Sequence, residues 1–260
     1  MVRPAVPPAP PLGWGPRPPA ATTVALGSVV LDVGHGAAVV GRLRAASASR
    51  PDGGEDSLER IDVFAAAEAL VAAGAVAVEL PIPSRADPDR VGSVVAGLVE
   101  RLDVPVLVQV SAPISLEAAL AAGAVAAVVG HPLPDQDLAL VAASGASLVV
   151  PGDGSPSARR HAHALGVAAL GAGVSPDRVL LDVGAAADGR SDVPGLAIVV
   201  TDPVDPDDQA DEARGVRSAA LALGIALGGR LLRTADPHVA RRTSVALAAI
   251  ALAQHEGAPT

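Results

Sequence analysis

The chain has 260 residues and half of them are hydrophobic, so it can bury the core of one barrel-sized domain or of two small ones. Cysteine is absent, which excludes disulfides, thiolate metal sites and thiol nucleophiles, while one Trp, one Phe and no Tyr leave essentially no platform for stacking bases or sugars. The net charge of −9 argues against nucleic acid and anionic membranes as partners.

The first 21 residues are rich in proline, which favours a disordered, polyproline-like arm over helix or sheet. Residues 22–32 then offer two short strands around Gly27, a hairpin that can plug the bottom of a barrel. Every apolar run is broken well short of the roughly 20 residues that a membrane-spanning helix needs, and no signal peptide is evident. We therefore expect a cytoplasmic protein with one domain over residues 22–260.

The stretch 106–130, VLVQVSAPISLEAALAAGAVAAVVG, predicts one complete strand, helix and strand. Its first five residues form a nearly all-apolar, β-branched run, as in a parallel strand that is covered on both faces. Ser115 is predicted to cap the helix, and Gly123 to end it before the next apolar run begins.

Similar units recur along the rest of the chain. The predicted strands are residues 38–43, 75–80, 106–110, 125–129, 147–150, 179–181, 196–200 and 230–233. The predicted helices are residues 58–73, 87–101, 115–122, 135–143, 155–170, 207–227 and 237–254, and residues 183–194 are too rich in Gly and Asp for a helix. Strands that are each followed by a crossover predict a (β/α)8 barrel, and no phosphate loop of the G-x-G-x-x-G type follows the first strand.

In such a barrel the functional site lies at the carboxyl ends of the strands. The polar residues at these positions are Arg44, Ser47, Ser49, Glu79, Gln109, Ser111, His131, Asp153, Asp182, Thr201, Asp202, Arg233 and Asp236. An acid, an arginine and small polar groups suit an anion or a heterocycle, but they also occur on ordinary barrel rims.

Five motifs, in order along the chain, resemble those of the dihydropteroate synthases. They are VGRLRAASASRPDGG at residues 40–54, AGAVAVEL, SLEAALAAGA, VLLDVG and GGRLLRTADPHVARRTSVALAAI. The resemblance implies a (β/α)8 barrel that joins a hydroxymethyl-pterin diphosphate to p-aminobenzoate with the help of Mg²⁺. It also implies that Asp182 accepts hydrogen bonds from the pterin ring and that Arg233 holds the diphosphate.

Further positions follow from the same resemblance. Asp236 and Ser49 match the family motifs, whereas Arg44 replaces the Asn that binds metal and diphosphate, and Gln109 replaces an acid. We include Asp182, Arg233, Asp236, Arg44, Gln109 and Ser49 in the candidate ligand site and assign no metal ligand. We expect the surroundings of Asp182 and Arg233 to be unusually poor in other polar partners, so that Asp182 is the only obvious carboxylate acceptor for a pterin-like ring.

Several of the family's polar groups are missing here. The Asn-Asp pair after the fourth strand is replaced by valines or, with a shifted gap, by Gly130 and His131; Ser-Arg-Lys becomes residues 201–203, Thr-Asp-Pro; and the closing His is Ala235. A specificity change alone would keep a base, a metal ligand and a phosphate cation. The first hypothesis is therefore a barrel without the ordinary catalysis that binds a pterin, a phosphate or a partner protein. The alternative is an active folate-pathway transferase with a remodelled site, which would use Mg²⁺.

The two predicted helices 207–227 and 237–254 carry Ala and Leu on more than one face. An apolar face that the barrel does not cover favours association, and the family resemblance also implies a dimer. We expect a homodimer through this side of the molecule.

Overall fold

Eight parallel strands close into a barrel in the computed structural model of the chain, with a two-stranded antiparallel hairpin in front of them. The structure describes residues 23–34, 36–43, 63–151, 156–182, 197–202, 211–226 and 228–256. The predicted arm, Arg44 and Ser49 lie outside these ranges. The (β/α)8 barrel and its hairpin are confirmed.

The strands of the described residues are numbered in chain order. They are β1 Thr23–Leu26, β2 Val29–Asp32, β3 Ala38–Arg42, β4 Ala77–Pro81, β5 Val106–Val110, β6 Ala126–Val129, β7 Ser147–Val150, β8 Val179–Asp182, β9 Ala197–Thr201 and β10 Gly229–Thr234. The barrel order is β10-β3-β4-β5-β6-β7-β8-β9, so each strand pairs with its neighbours in sequence and β10 closes onto β3.

The helices are α1 Val63–Ala72, α2 Pro88–Arg101, α3 Pro113–Ala121, α4 Asp135–Ser144, α5 Pro156–Gly171, α6 Asp211–Ala226 and α7 Pro237–Glu256. The predicted cap at Ser115 is wrong. Helix α3 begins at Pro113, and its capping residue, Ala112, makes no side-chain hydrogen bond. Ser115 therefore lies within the helix, where it is buried. Proline fits the first turn because the missing N–H would have had no partner there.

The core has an inner and an outer layer because side chains alternate along each strand. The interior of the barrel contains Val40, Leu107, Val128, Val149 and Leu180, while the intervening residues pack against the helices. In the eight barrel strands almost every residue whose burial is described is buried, which explains why these strands are continuous apolar runs in the sequence.

The hairpin closes the amino-terminal end of the barrel. Val24 and Leu26 pack against the interior core, and Ser147, at the start of β7, accepts a hydrogen bond from Gly27 N at 2.9 Å and donates to Ala25 O at 3.0 Å. Gly27 has φ +59°, and a Cβ there would lie 2.8 Å from Val125 O, so the turn requires glycine. The opposite, carboxyl-terminal end is where a site can form.

Candidate functional site

Five polar residues at the carboxyl ends of the barrel strands form one network, the mouth cluster: Arg42, Glu79, Asp182, Thr201 and Arg233. Each lies two residues after an interior position of its strand, as the alternation of side chains requires. They come from β3, β4, β8, β9 and β10, which are neighbours in the closed sheet.

Arg233 is the centre of the mouth cluster. Its Nε donates to Glu79 Oε2 at 2.6 Å and its Nη2 donates to Glu79 Oε1 at 2.7 Å, which makes a bidentate pair. Its Nη1 donates to Asp182 Oδ2 at 2.5 Å and to Thr201 Oγ1 at 3.0 Å. Strand β3 separates β10 from β4, and strand β9 separates β10 from β8. The contacts of Arg233 with Glu79 and Asp182 therefore run across the interior of the barrel.

The hydroxyl of Thr201 links Arg233 to Asp182. Its hydroxyl accepts from Arg233 and donates to Asp182 Oδ2. Asp182 is only 3% exposed and Arg233 only 2%. The structure therefore brings Asp182 and Arg233 together, as the sequence predicts, but as partners of each other.

The expectation that the surroundings of Asp182 and Arg233 are poor in other polar partners is wrong. Glu79 supplies a second carboxylate with two hydrogen bonds to the guanidinium. Burial disfavours the charge on Glu79, but Arg233 and Arg42 outweigh it and hold the pKa of Glu79 below its ordinary value. Burial also opposes the charge on Arg233, while Glu79 and Asp182 raise its pKa, so the guanidinium remains protonated.

Arg42 is the outer member of the mouth cluster. Its Nε lies 3.4 Å from Glu79 Oε1, and its side chain is 28% exposed. Sequence reasoning missed it because the family motif directs attention to Arg44, two residues later. The available signal was the alternation of β3, in which Val40 faces the interior and Arg42 follows on the same face.

Gln109 and Asp236 occupy different surroundings. Gln109 follows interior Leu107 by two residues on β5, so it faces the mouth, where it is half-buried. Asp236 is not brought to the mouth cluster. Its Oδ2 lies 3.5 Å from Arg217 Nη1, and its Oδ1 accepts from Val239 N in the first turn of α7.

Arg217 of α6 centres a second buried network, on the helix side of β9 and β10. Its Nε lies 2.5 Å from Asp202 Oδ2, and Thr234 Oγ1 donates to the same oxygen at 2.8 Å. Thr201 and Arg233 are the preceding residues on the same strands and face inward. The strand ends are thus fixed by ion pairs on both faces.

The described mouth residues do not fit a Mg²⁺ ion. Glu79 and Asp182 are the carboxylates there, and the guanidinium of Arg233 already occupies positions on both. Nowhere in the described ranges do three His, Cys, Asp or Glu side chains converge as metal ligands. Likewise, none of the helices in these ranges is long and apolar enough to cross a membrane.

Comparison with solved structures identifies the fold. Xanthomonas albilineans dihydropteroate synthase with 4-aminobenzoic acid superimposes with a TM-score of 0.71 at 20% identity, covering 92% of this chain and 100% of that chain. This chain has the dihydropteroate synthase fold. The 7,8-dihydropteroate synthase of Vibrio fischeri gives 0.67 at 17% identity, covering 92% and 100% of the two chains.

The Yersinia pestis dihydropteroate synthase gives a TM-score of 0.65 at 17% identity and covers 89% of this chain and 99% of that chain. No protein-family model matches the sequence, and no curated protein is similar to it. The dihydropteroate synthase fold therefore spans nearly the whole chain at an identity that establishes architecture alone.

Proposed function

We propose that the protein binds an uncharged, hydrogen-bond-donating heterocycle of the pterin class at the mouth of the barrel and does not transfer it to p-aminobenzoate. Support for the ligand class comes from fold relatives that are described with pterins, such as the Xanthomonas albilineans enzyme in complex with 7,8-dihydropteroate. The amino and ring N–H groups of a pterin are donors, and the carboxylate of Asp182 is an acceptor.

The observation that carries the proposal is the state of Arg233. A diphosphate needs cations or a metal to balance its charge, whereas Arg233 is engaged by both Glu79 and Asp182. A phosphate would have to displace two buried carboxylates from this guanidinium, and each displaced carboxylate would be left in the barrel interior. That displacement costs several kcal/mol per charge.

The residues at the end of β9 support the same conclusion. Thr201 is bound to Arg233 and Asp182, and Asp202 pairs with Arg217 on the outer face of the sheet. Neither supplies a cation to the mouth. Among the described mouth residues, transfer chemistry would therefore lack carboxylates that are not already paired with Arg233 and would have Arg42 as the one partly exposed cation. Recognition of a neutral ring requires neither a metal nor a cation.

Calorimetric titration tests the proposal. Hydroxymethyl-pterin and its diphosphate are titrated with and without Mg²⁺ and p-aminobenzoate, and pyrophosphate release is assayed in parallel. We expect binding of the bare ring and no pyrophosphate above the rate without protein. Pyrophosphate release that depends on p-aminobenzoate would instead establish the active transferase, which the similarity of fold over nearly the whole chain favours.

The variant Asp182→Asn examines the site itself. The amide of Asn keeps one acceptor oxygen and places a donor NH2 group where the carboxylate has its second oxygen. We therefore expect binding of the bare ring to weaken by about 1.5–3 kcal/mol. The matched control is Asp177→Asn, an exposed carboxylate that precedes the same strand at the opposite end of the barrel. A ring that binds neither the parent nor the control variant would leave a structural or partner-binding barrel.

A further inference from the structure

The mouth cluster occupies one side of the barrel mouth. Its residues come from β8, β9, β10, β3 and β4, which follow one another around the closed sheet. Gln109 on β5 borders this polar side, and the next two strands, β6 and β7, complete the circle. Their interior side chains at this level are Val128, in register with Gln109, and Val149, in register with Val128. The mouth therefore has a polar side and an apolar side, and β6 lies directly across the barrel from β10.

The rim above the two valines is apolar as well. Gly130 and Pro151 follow Val128 and Val149 by two residues, so they lie on the same face, and the four residues together form the apolar arc. A Cβ on Gly130 would lie 3.5 Å from Pro151 Cγ, which sets these two positions side by side. Gly130 is exposed and Pro151 is half-buried, so an incoming ligand can touch both. The adjacent His131 buries its Nε2 and does not offer that nitrogen to the ligand.

The two sides of the mouth decide how a flat ring can lie there. Arg233 and Thr201 hold the carboxylate of Asp182 on the polar side. Arg42 and Glu79 fill the part of the mouth at β3 and β4. A ring that donates to Asp182 therefore extends over the apolar arc, which these side chains leave uncovered. The second ring of a pterin is a pyrazine, and its two acceptor nitrogens would lose water there without meeting a side-chain donor among the described residues. C–H groups at the same positions would instead bury apolar surface.

We propose that the site takes an aminopyrimidinone fused to a hydrocarbon ring, a ligand of the aminoquinazolinone class. This inference rests on the proposed function and narrows its ligand: the donor edge of a pterin is kept, and the nitrogens of its second ring are absent. The observation that carries it is the confinement of the mouth cluster to neighbouring strands, with valines across the barrel from Arg233. A site that reads a pyrazine needs a donor on that far side.

The experiment compares pterin with 2-aminoquinazolin-4-one by calorimetry. The two probes share the amino group, the ring N–H and the carbonyl of the donor edge, and they differ only in the two pyrazine nitrogens, which are C–H groups in the quinazolinone. The parent is expected to bind the quinazolinone about five- to fiftyfold more tightly, the scale of leaving an acceptor unsatisfied on burial. Both rings are uncharged, so this preference should not depend on salt.

Variants of one residue assign the preference to the apolar arc. Gly130 has no positive φ, and a Cβ there would meet Pro151 Cγ at an ordinary contact distance, so a side chain fits at this position. Gly130→Ser adds a hydroxyl donor to the arc and is expected to tighten pterin binding and shrink the preference about three- to tenfold, the scale of one neutral hydrogen bond. The matched control is Gly130→Ala, which adds the same Cβ without the hydroxyl and should leave the preference within about twofold. Melting curves check that each variant is folded.

The outcomes separate the two proposals. Pterin that binds the parent at least as tightly as the quinazolinone would overturn this inference and leave ring binding standing. A preference that Gly130→Ser leaves unchanged, or that Gly130→Ala lowers equally, would also overturn it, because the missing donor would then not be its cause. Failure of both probes to bind the parent would overturn both proposals.

Discussion

At the scale of single residues, the chemistry of the mouth is decided by how Arg233 is shared. Glu79 holds it with two parallel hydrogen bonds, and Asp182 and Thr201 hold its remaining side. The guanidinium of Arg233 thus serves first to neutralise the two buried carboxylates. Among the described mouth residues, Arg42 and Gln109 are partly exposed, so a ligand can contact these two side chains.

Removal of Arg233 should be costly. In Arg233→Met the buried Glu79 keeps only the distant contact with Arg42, so we expect the free energy of unfolding to fall by roughly 3–5 kcal/mol. The double variant Arg233→Met, Glu79→Gln should recover about 1–3 kcal/mol of that loss, because no buried charge is then stranded on β4. Urea unfolding measures both, with the exposed Arg242→Met as the control, and strictly additive losses would contradict the pairing.

Glu79 should also make stability depend on pH. Its pKa is lower in the folded than in the unfolded chain, so the ionised form stabilises the fold above the unfolded value of about 4.3. That contribution is lost as the pH falls from about 4.3 through the folded value. We expect the unfolding free energies of the parent and Glu79→Gln to approach each other progressively as the pH falls below about 4.3. Parallel curves between pH 7 and pH 3 would show that Glu79 is not responsible.

At the scale of elements, the sequence predicts the strands to within about two residues because each is an apolar run that is covered on both faces. It misplaces the start of α3, where Pro113 rather than Ser115 sets the first turn. It predicts that Asp182 and Arg233 share the mouth, since both end barrel strands. It cannot predict the bond between Glu79 and Arg233, because that bond joins strands two places apart and depends on the reach of two side chains across the interior.

The hairpin is an element whose attachment depends on one side chain. Ser147→Ala removes the hydroxyl that pairs with Gly27 N and Ala25 O, and both backbone groups lose that partner at the bottom of the barrel. We expect unfolding in urea to require about 1–3 kcal/mol less. The control is Ser93→Ala on α2, an exposed hydroxyl that bonds to Asp89 O and should change stability by less than about 0.5 kcal/mol. Equal effects of the two variants would mean that the hairpin is held by its apolar contacts alone.

At the scale of the whole molecule, the last two helices carry an apolar surface that the barrel does not cover. Val216 and Leu223 on α6, and Val245 and Ile250 on α7, are exposed although the two helices pack against each other. Large apolar side chains that are exposed on neighbouring helices favour an interaction surface. A second copy of the chain, related by a two-fold axis, covers such a face with itself.

We therefore expect a homodimer, as the sequence analysis proposes, and light scattering at micromolar concentration measures it. A stable interface buries about 800 Å² per partner, which two helices of this length can supply. The double variant Leu223→Glu, Ile250→Glu places uncompensated charges in this face and should weaken dimerisation about a hundredfold or more. Val167→Glu is the control, because Val167 on α5 is as exposed as Ile250, at 53%, but lies on a different helix. A monomeric parent would remove the prediction, and a dimer that persists in the double variant while Val167→Glu dissociates would move the interface to the other side of the barrel.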